Sequence, residues 1–219
     1  ARSLDNPAVF EELLKDCTID KEGKLVTNKI FTGTGPAQPY LNYALLGMLS
    51  SAPQACAAVV TLRQSITHLA MVLPSTEPLA EFKNLKSLDL GGGGSIQNVD
   101  GLANCTKLTE LNLGGSAQQI CDSLQNVDGL TNCTKLTKLD LSGCNSLQNV
   151  DGLAVSSKFV LCLDMDFVER KFEEEEWSDD KFSKMALETI ERFVNEIRNK
   201  IGSNIDDRIL ICNPEEYYI

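Results

Sequence analysis

Histidine is almost absent from this sequence, since His68 is the one histidine in 219 residues. Enzymes that activate a serine or cysteine nucleophile commonly use histidine as the base, so a single position could supply one. Cysteines at C-x-x-C spacing and histidines at H-x-x-x-H spacing are absent as well, which argues against a structural zinc site. We therefore predict no metal and no other cofactor, and we interpret His68 as a packed or edge residue.

Basic residues and long apolar runs are also scarce. Lys and Arg number 20 against 31 Asp and Glu, so the formal net charge is −11. Such a field repels phosphate backbones and anionic lipid, and neither nucleic acid nor a membrane is an expected partner. No apolar run reaches the roughly 18 residues of a membrane-spanning helix. The first residues lack the pattern of a secretory leader, which we expect to be missing or already removed.

The eight cysteines are an even number, but they are spread over the whole chain. Disulfide scaffolds concentrate their cysteines in short secreted domains, so such a scaffold is not indicated. We interpret most of these cysteines as small buried apolar residues. This favours a reducing compartment, either the cytoplasm or, for an exported protein, the cytosol of a host.

What the sequence does contain is an internal repeat. Three units open at Leu85, Leu108 and Leu136, and all three contain the segment "QNVDGL". Four glycines at 91–94 follow the first L-x-L segment, as "GG" and "SGC" follow the other two. The glycines are therefore predicted to form a turn inside a repeat. They are not followed by the Gly-Lys-Ser/Thr of a phosphate-binding loop.

Each unit changes its apolar period from two to three. Leu88 and Leu90 alternate with Ser87 and Asp89, which predicts a strand with one buried face. The pattern V-x-x-L-x-x-C-x-x-L follows, as expected for a helical or 3₁₀ return segment. This arrangement resembles the leucine-rich repeat family. The resemblance implies an α/β fold, a right-handed solenoid with a parallel sheet on its concave face.

The resemblance also assigns two inward-facing columns. The family usually has an asparagine after the strand, and the matching positions here are Gly93, Ser116 and Cys144. Cys105 and Cys133 match the inward site of cysteine-containing repeats. Their N-C-T triplets could also be read as glycosylation sequons, but a packing role is favoured for them.

The repeats are predicted to span residues 65–158, with Ile66, Leu69 and Met71 in a degenerate first strand. Solenoids need caps over their end units, and residues 1–64 are predicted to form a helical N-terminal cap. That cap would contain helices at about 7–16, 40–50 and 53–64 and a polar connection at 18–39.

Residues 159–219 are predicted to form a C-terminal cap of strand, amphipathic helix and strand, with the last strand parallel to the repeat sheet. Aligning Phe159 with Leu108 places Cys162 at a repeat leucine position, facing the core. The same alignment directs Leu161, Leu163 and Met165 onto the concave face, where the C-terminal segment or a partner would have to cover them.

No active site is apparent, and we predict a non-catalytic protein-binding module. The binding face is expected at the outward strand positions and at the apolar end, namely Ser87, Asp89, Glu110, Asn112, Lys138, Asp140, Leu161, Leu163 and Met165. This composition favours a protein partner that is basic and partly hydrophobic. The insertion at 117–123 is a second candidate contact, and the acidic run at 173–180 is interpreted as a solvated loop.

Two other functions stay open. The apolar strand at 159–167 could be the interface of a self-associating structural protein, so the oligomeric state is left undecided. Some bacterial leucine-rich-repeat effectors carry a ubiquitin ligase domain with a catalytic cysteine in a C-x-D motif, and Cys162 and Asp164 have that spacing. Against this alternative, that domain is a large helical module, whereas about 57 residues follow Cys162.

Overall fold

The centre of the fold is a six-stranded parallel sheet in which the strands follow one another in chain order. A computed structural model of the chain describes residues 15, 17–27, 36–52, 57–115, 121, 123–141, 144, 146–147, 152–153, 160–164, 195 and 209–212. The sheet strands are β3 (His68–Ala70), β4 (Ser87–Asp89), β5 (Glu110–Asn112), β6 (Lys138–Asp140), β7 (Val160–Asp164) and β8 (Ile209–Cys212). The predicted parallel sheet is confirmed.

A column of leucines holds this sheet to the core. The strand register pairs Leu69 with Leu88, Leu88 with Leu111, and Leu111 with Leu139. Each of these four side chains is at most 3% exposed. Burying one leucine contributes about 1.5–3 kcal/mol, so the column is a large share of what holds adjacent repeats together. The alternation of buried and outward residues predicted for these strands is confirmed.

The return segments are short 3₁₀ helices: η1 (Glu77–Glu81), η2 (Asp100–Leu102) and η3 (Asp128–Leu130). They stack with almost no gap, which explains the glycine in each "DGL". A Cβ placed on Gly101 would overlap the carbonyl of Thr76, and one on Gly129 would overlap the carbonyl of Val99. Neighbouring returns therefore pack backbone against backbone at these glycines.

Cysteines line the interior beside the returns, as predicted. Cys105 and Cys133 are fully buried. The Cys133 thiol lies 3.7 Å from the carbonyl oxygen of Leu102 and 3.6 Å from that of Cys105. The Cys144 thiol lies 3.7 Å from the carbonyl oxygen of Leu113. A thiol thus occupies, in this repeat, the position at which the family usually has asparagine.

Two helices precede the sheet, near the positions expected from sequence. Helix α1 (Gln38–Ser51) has Pro39 in its first turn, where a missing N–H costs nothing, and helix α2 spans Ala57–Ser65. Arg63 of α2 is buried, and its Nη1 donates to the carbonyls of Leu49 and Ser50 at 3.0 and 2.6 Å. Its positive charge therefore lies at the C-terminal end of α1, which the helix dipole favours.

The segment predicted as a polar connection at 18–39 contains an antiparallel hairpin instead. Its strands are β1 (Cys17–Ile19) and β2 (Leu25–Thr27). Cys17 and Leu25 anchor it in the core with 3% and 8% exposure. The strands are three residues long and alternate only weakly, which is why sequence periodicity did not predict them. The helix expected at about 7–16 lies outside the described residues apart from Lys15.

At the C-terminal end of the sheet, β8 pairs with β7 in parallel, as predicted. The register of β7, however, corrects the sequence alignment by one residue. Leu161 pairs with Leu139, in the leucine column, and Cys162 pairs with Asp140 in the polar column. Val160, Leu161, Cys162 and Leu163 are all apolar, so this strand has no alternation from which the register could be predicted.

Candidate protein-binding face

The strand register gathers the predicted polar residues into two columns on the outward side of the sheet. One column contains Ser87, Glu110 and Lys138, and the other contains Asp89, Asn112 and Asp140. Neighbouring strands of a sheet lie about 4.8 Å apart, so each column is a continuous row of side chains. We call these six residues the strand face. All six predicted polar residues are brought together in it.

The first column contains an ion pair. Lys138 Nζ lies 3.2 Å from Glu110 Oε1, and the two side chains are 68% and 49% exposed. Exposed pairs of this kind contribute at most about 1 kcal/mol. Because the strand face contains three carboxylates and one ammonium group, its net charge is negative. Its one lysine is already close to a carboxylate of the same face.

The second column has a structural role that sequence reasoning missed. Asp89 Oδ1 accepts a hydrogen bond from the backbone N–H of Gly91 at 2.9 Å. Asn112 Oδ1 accepts one from the N–H of Gly114 at 2.8 Å. These side chains close the turn after each strand, as Asp and Asn commonly do. The signal in the sequence was the recurrence of Asp or Asn two residues before a glycine.

Side chains of this column leave little room for a side chain at the glycines of the turns. A Cβ on Gly114 would lie 2.8 Å from Asp140 Oδ1, and a Cβ on Gly91 would lie 3.1 Å from Asn112 Nδ2. Side chains of one repeat therefore lie directly over the turn of the preceding repeat. A substitution in this column changes the turns as well as the surface, whereas a substitution in the first column leaves those hydrogen bonds in place.

The face extends to a residue that we interpreted only as packed or at an edge. His68 pairs with Ser87 in the register, so it continues the first column onto β3. Its ring is half-buried, and Nδ1 lies 2.9 Å from Thr67 Oγ1. Histidine at this place adds a hydrogen-bonding group at the first edge of the strand face.

The other predicted contacts are not joined to this face. The pairing of β7 places Leu161 beside Leu139 of the leucine column, with Leu163 two residues further along the same strand, beside Ile211 of β8. The alignment that directed Leu161 and Leu163 outward was therefore wrong by one residue. Met165 and the acidic run at 173–180 lie outside the described residues. In the insertion at 117–123, Cys121 is buried and Ser123 is half-buried. The other residues of the insertion lie outside the described residues.

The two N-C-T triplets follow the returns η2 and η3. Asn104 and Asn132 are exposed, and their side-chain amides donate to the carbonyls of Ala80 and Ala103 at 3.3 and 3.4 Å. Each asparagine thus links its own repeat to the preceding one. The cysteines of the triplets are buried and the asparagines are exposed, so the packing role stays a prediction for the asparagines.

Comparison with known protein families identifies the repeat. The sequence model of the family described as "Leucine Rich repeat" matches residues 132–156, which include β6. The chain carries a leucine-rich repeat. The strands of the units at Leu85 and Leu108 pair in register with one another and with β6 of the matched unit. A search of curated proteins gave no match. None of the described helices is both long and apolar enough to cross a bilayer.

Proposed function

We propose that this chain is a non-catalytic module that binds a protein partner through the strand face. The leucine-rich repeat supports protein interaction as the general role. The observation that carries the proposal is the pair of polar columns crossing three adjacent strands, with Asp89, Glu110 and Lys138 exposed. A partner bound there would be basic, because three carboxylates and one lysine form the centre of the face.

The proposal includes an architecture for the whole chain. The repeats stack into a right-handed solenoid whose sheet lies on the concave side, with a helical cap before it and a strand-helix-strand cap after it. Support comes from the parallel strands in chain order and from the short returns between β3 and β6. A curved sheet would present the strand face to the partner as one concave surface.

The experiment that tests this function changes charge in the first column only. The variant Glu110→Lys reverses one charge beside Lys138 and leaves the turn hydrogen bonds of Asp89 and Asn112 in place. Its matched control is Glu81→Lys, because the Glu81 side chain is 43% exposed and is also paired with a lysine, Lys83, at 3.5 Å. Both changes shift the net charge equally, but Glu81 lies in return η1 and not on the sheet.

Wild type and both variants are immobilised, and the proteins that they capture from a lysate of the source organism are compared by mass spectrometry. We expect a protein recovered by wild type and by Glu81→Lys but lost with Glu110→Lys, and we expect its binding to weaken as salt is raised. Circular dichroism should be the same for all three chains. Equal recovery by Glu110→Lys would contradict the strand face as the binding site, and recovery of nothing but the chain itself would favour self-association.

A further inference from the structure

The backbone hydrogen bonds at the start of the repeat strands follow one rule. The carbonyl of the residue just before a strand accepts two consecutive N–H groups from the next repeat. For example, Lys86 accepts from Thr109 at 2.7 Å and from Glu110 at 3.0 Å. The same arrangement recurs at the carbonyls of Thr67 and Thr109, with acceptor distances of 2.7 to 3.1 Å. A threonine hydroxyl often adds a third bond, as Thr109 Oγ1 does to the Lys86 carbonyl at 2.9 Å.

Strand β3 is the first strand of the described sheet and has β4 on one side, and the N–H groups at its start are satisfied in the same way. The carbonyl of Gly23, in the turn of the β1–β2 hairpin, accepts from Thr67 at 2.9 Å and from His68 at 3.1 Å. Thr67 Oγ1 lies 3.4 Å from the same oxygen. Lys24 forms a parallel bridge with His68. The hairpin turn therefore reproduces the hydrogen bonds of a preceding strand.

The turn has the conformation that this role requires. Gly23 has a φ of 81°, in the left-handed region that favours glycine, and a Cβ there would overlap Thr67 Oγ1. Asp20 fixes the turn, because its Oδ1 accepts from the N–H groups of Glu22 and Lys24 at 2.9 Å each. The N–H of Lys24 is the largest cause of the lowered pKa of Asp20, which keeps this acceptor ionised.

We propose that the hairpin acts as a substitute repeat that closes the first edge of the sheet against strand addition by a second copy of this chain. An open edge presents unpaired N–H and C=O groups, which is the arrangement through which strands of separate chains pair. Here the two N–H groups that begin β3 are already bonded to Gly23. This inference goes beyond the proposed function, because it does not depend on what the strand face binds.

The test loosens the turn without touching the core. In Asp20→Ala the side-chain acceptor of the turn is lost, and in the matched control Asp20→Asn an equivalent Oδ1 remains. We expect the Thr67 and His68 amides of Asp20→Ala to exchange with solvent roughly tenfold faster, the factor that corresponds to one net hydrogen bond. We also expect its mass by light scattering to rise with protein concentration, while wild type and Asp20→Asn keep a constant mass.

A second pair of variants covers the case in which Asp20→Ala is too mild. Gly23→Ala places a Cβ against Thr67, and Gly92→Ala is its control, because Gly92 also has a positive φ, 78°, but lies after β4. Gly23→Ala should associate and Gly92→Ala should not, although both carry similar backbone strain. Fast-exchanging Thr67 and His68 amides in a chain of constant mass would overturn the proposal. Amides that stay protected in both Asp20→Ala and Gly23→Ala would overturn it too, because the turn would then not be what closes the edge.

Discussion

Replacing Gly129 with alanine is expected to lower the free energy of unfolding by about 3 kcal/mol, the upper part of the usual range for overpacking. A Cβ at this position would overlap the carbonyl carbon and oxygen of Val99 in the preceding return. The obstacle is backbone, which cannot rotate out of the way as a side chain can. The loss can be measured by urea unfolding followed by circular dichroism.

The same substitution elsewhere in the chain provides the control. Gly47 lies inside helix α1, and nothing is within 4 Å of a Cβ placed there. Gly47→Ala is therefore expected to raise the free energy of unfolding by about 0.5–1 kcal/mol, because alanine is the better helix former. If Gly129→Ala proved as harmless as Gly47→Ala, the close stacking of returns η2 and η3 would be incorrect.

Alkylation of the buried thiols is expected to be slower in the native chain than in the unfolded chain by at least about 10². Burial raises the pKa of Cys105 from 9.0 to about 12, with a further contribution from the nearby Cys133. Burial also raises the pKa of Cys133, to about 11. The thiolate is the reactive form, so its scarcity and the lack of access both slow the reaction. Iodoacetamide labelling with and without urea, read out by peptide mass spectrometry, measures the ratio.

The raised pKa values also predict the direction of an alkaline effect. The unfolded chain releases these thiol protons near pH 9, whereas the folded chain keeps them until about pH 11 for Cys133. Below pH 9 both states keep these protons and the free energy of unfolding is unaffected by them. Between pH 9 and the folded pKa, the free energy of unfolding falls by about 1.4 kcal/mol per pH unit for each thiol. Cys133→Ala should therefore have a shallower alkaline decline than wild type. Parallel declines would show that this thiol is not buried as described.

The labelling rate of Cys162, measured in the same experiment, distinguishes a non-catalytic binding module from the ligase alternative. Its pairing with Asp140 differs from the core position that the sequence alignment gave it. As a proposed non-catalytic residue, it should label no faster than an ordinary cysteine at the same pH. A rate well above that of a free thiol would indicate a lowered pKa and would favour the C-x-D chemistry of the ligase alternative.

Much of the repeat region could be predicted because its information is local. The alternation of Leu88 and Leu90 with Ser87 and Asp89 decides which side of a strand is buried, since successive side chains point to opposite faces. The resemblance to cysteine-containing repeats placed the thiols of Cys105 and Cys133 inside. The six polar residues of the strand face follow from the strand alternation, and all six lie on the outward side as the sequence predicted.

The role of the strand face in closing the turns was not predicted from the sequence. Asp89 and Asn112 were predicted as contacts for a partner, and the structure also uses both to close turns. The polar pattern is the same for an outward side chain that is free to bind and for one that bends back to its own backbone. Glu110 and Lys138 are therefore the sharper positions for testing the binding face.

By itself the sequence determined the repeat units, the buried and outward sides of their strands, and the inward cysteines, because each of these depends on spacing within one unit. The tertiary structure alone decided the register of β7 and the attachment of the hairpin to β3. An evenly apolar strand has no preferred face from which a register can be read. The hydrogen bonds from Thr67 and His68 to Gly23 join backbone groups that nearly every residue has, so no pattern of side chains predicts them.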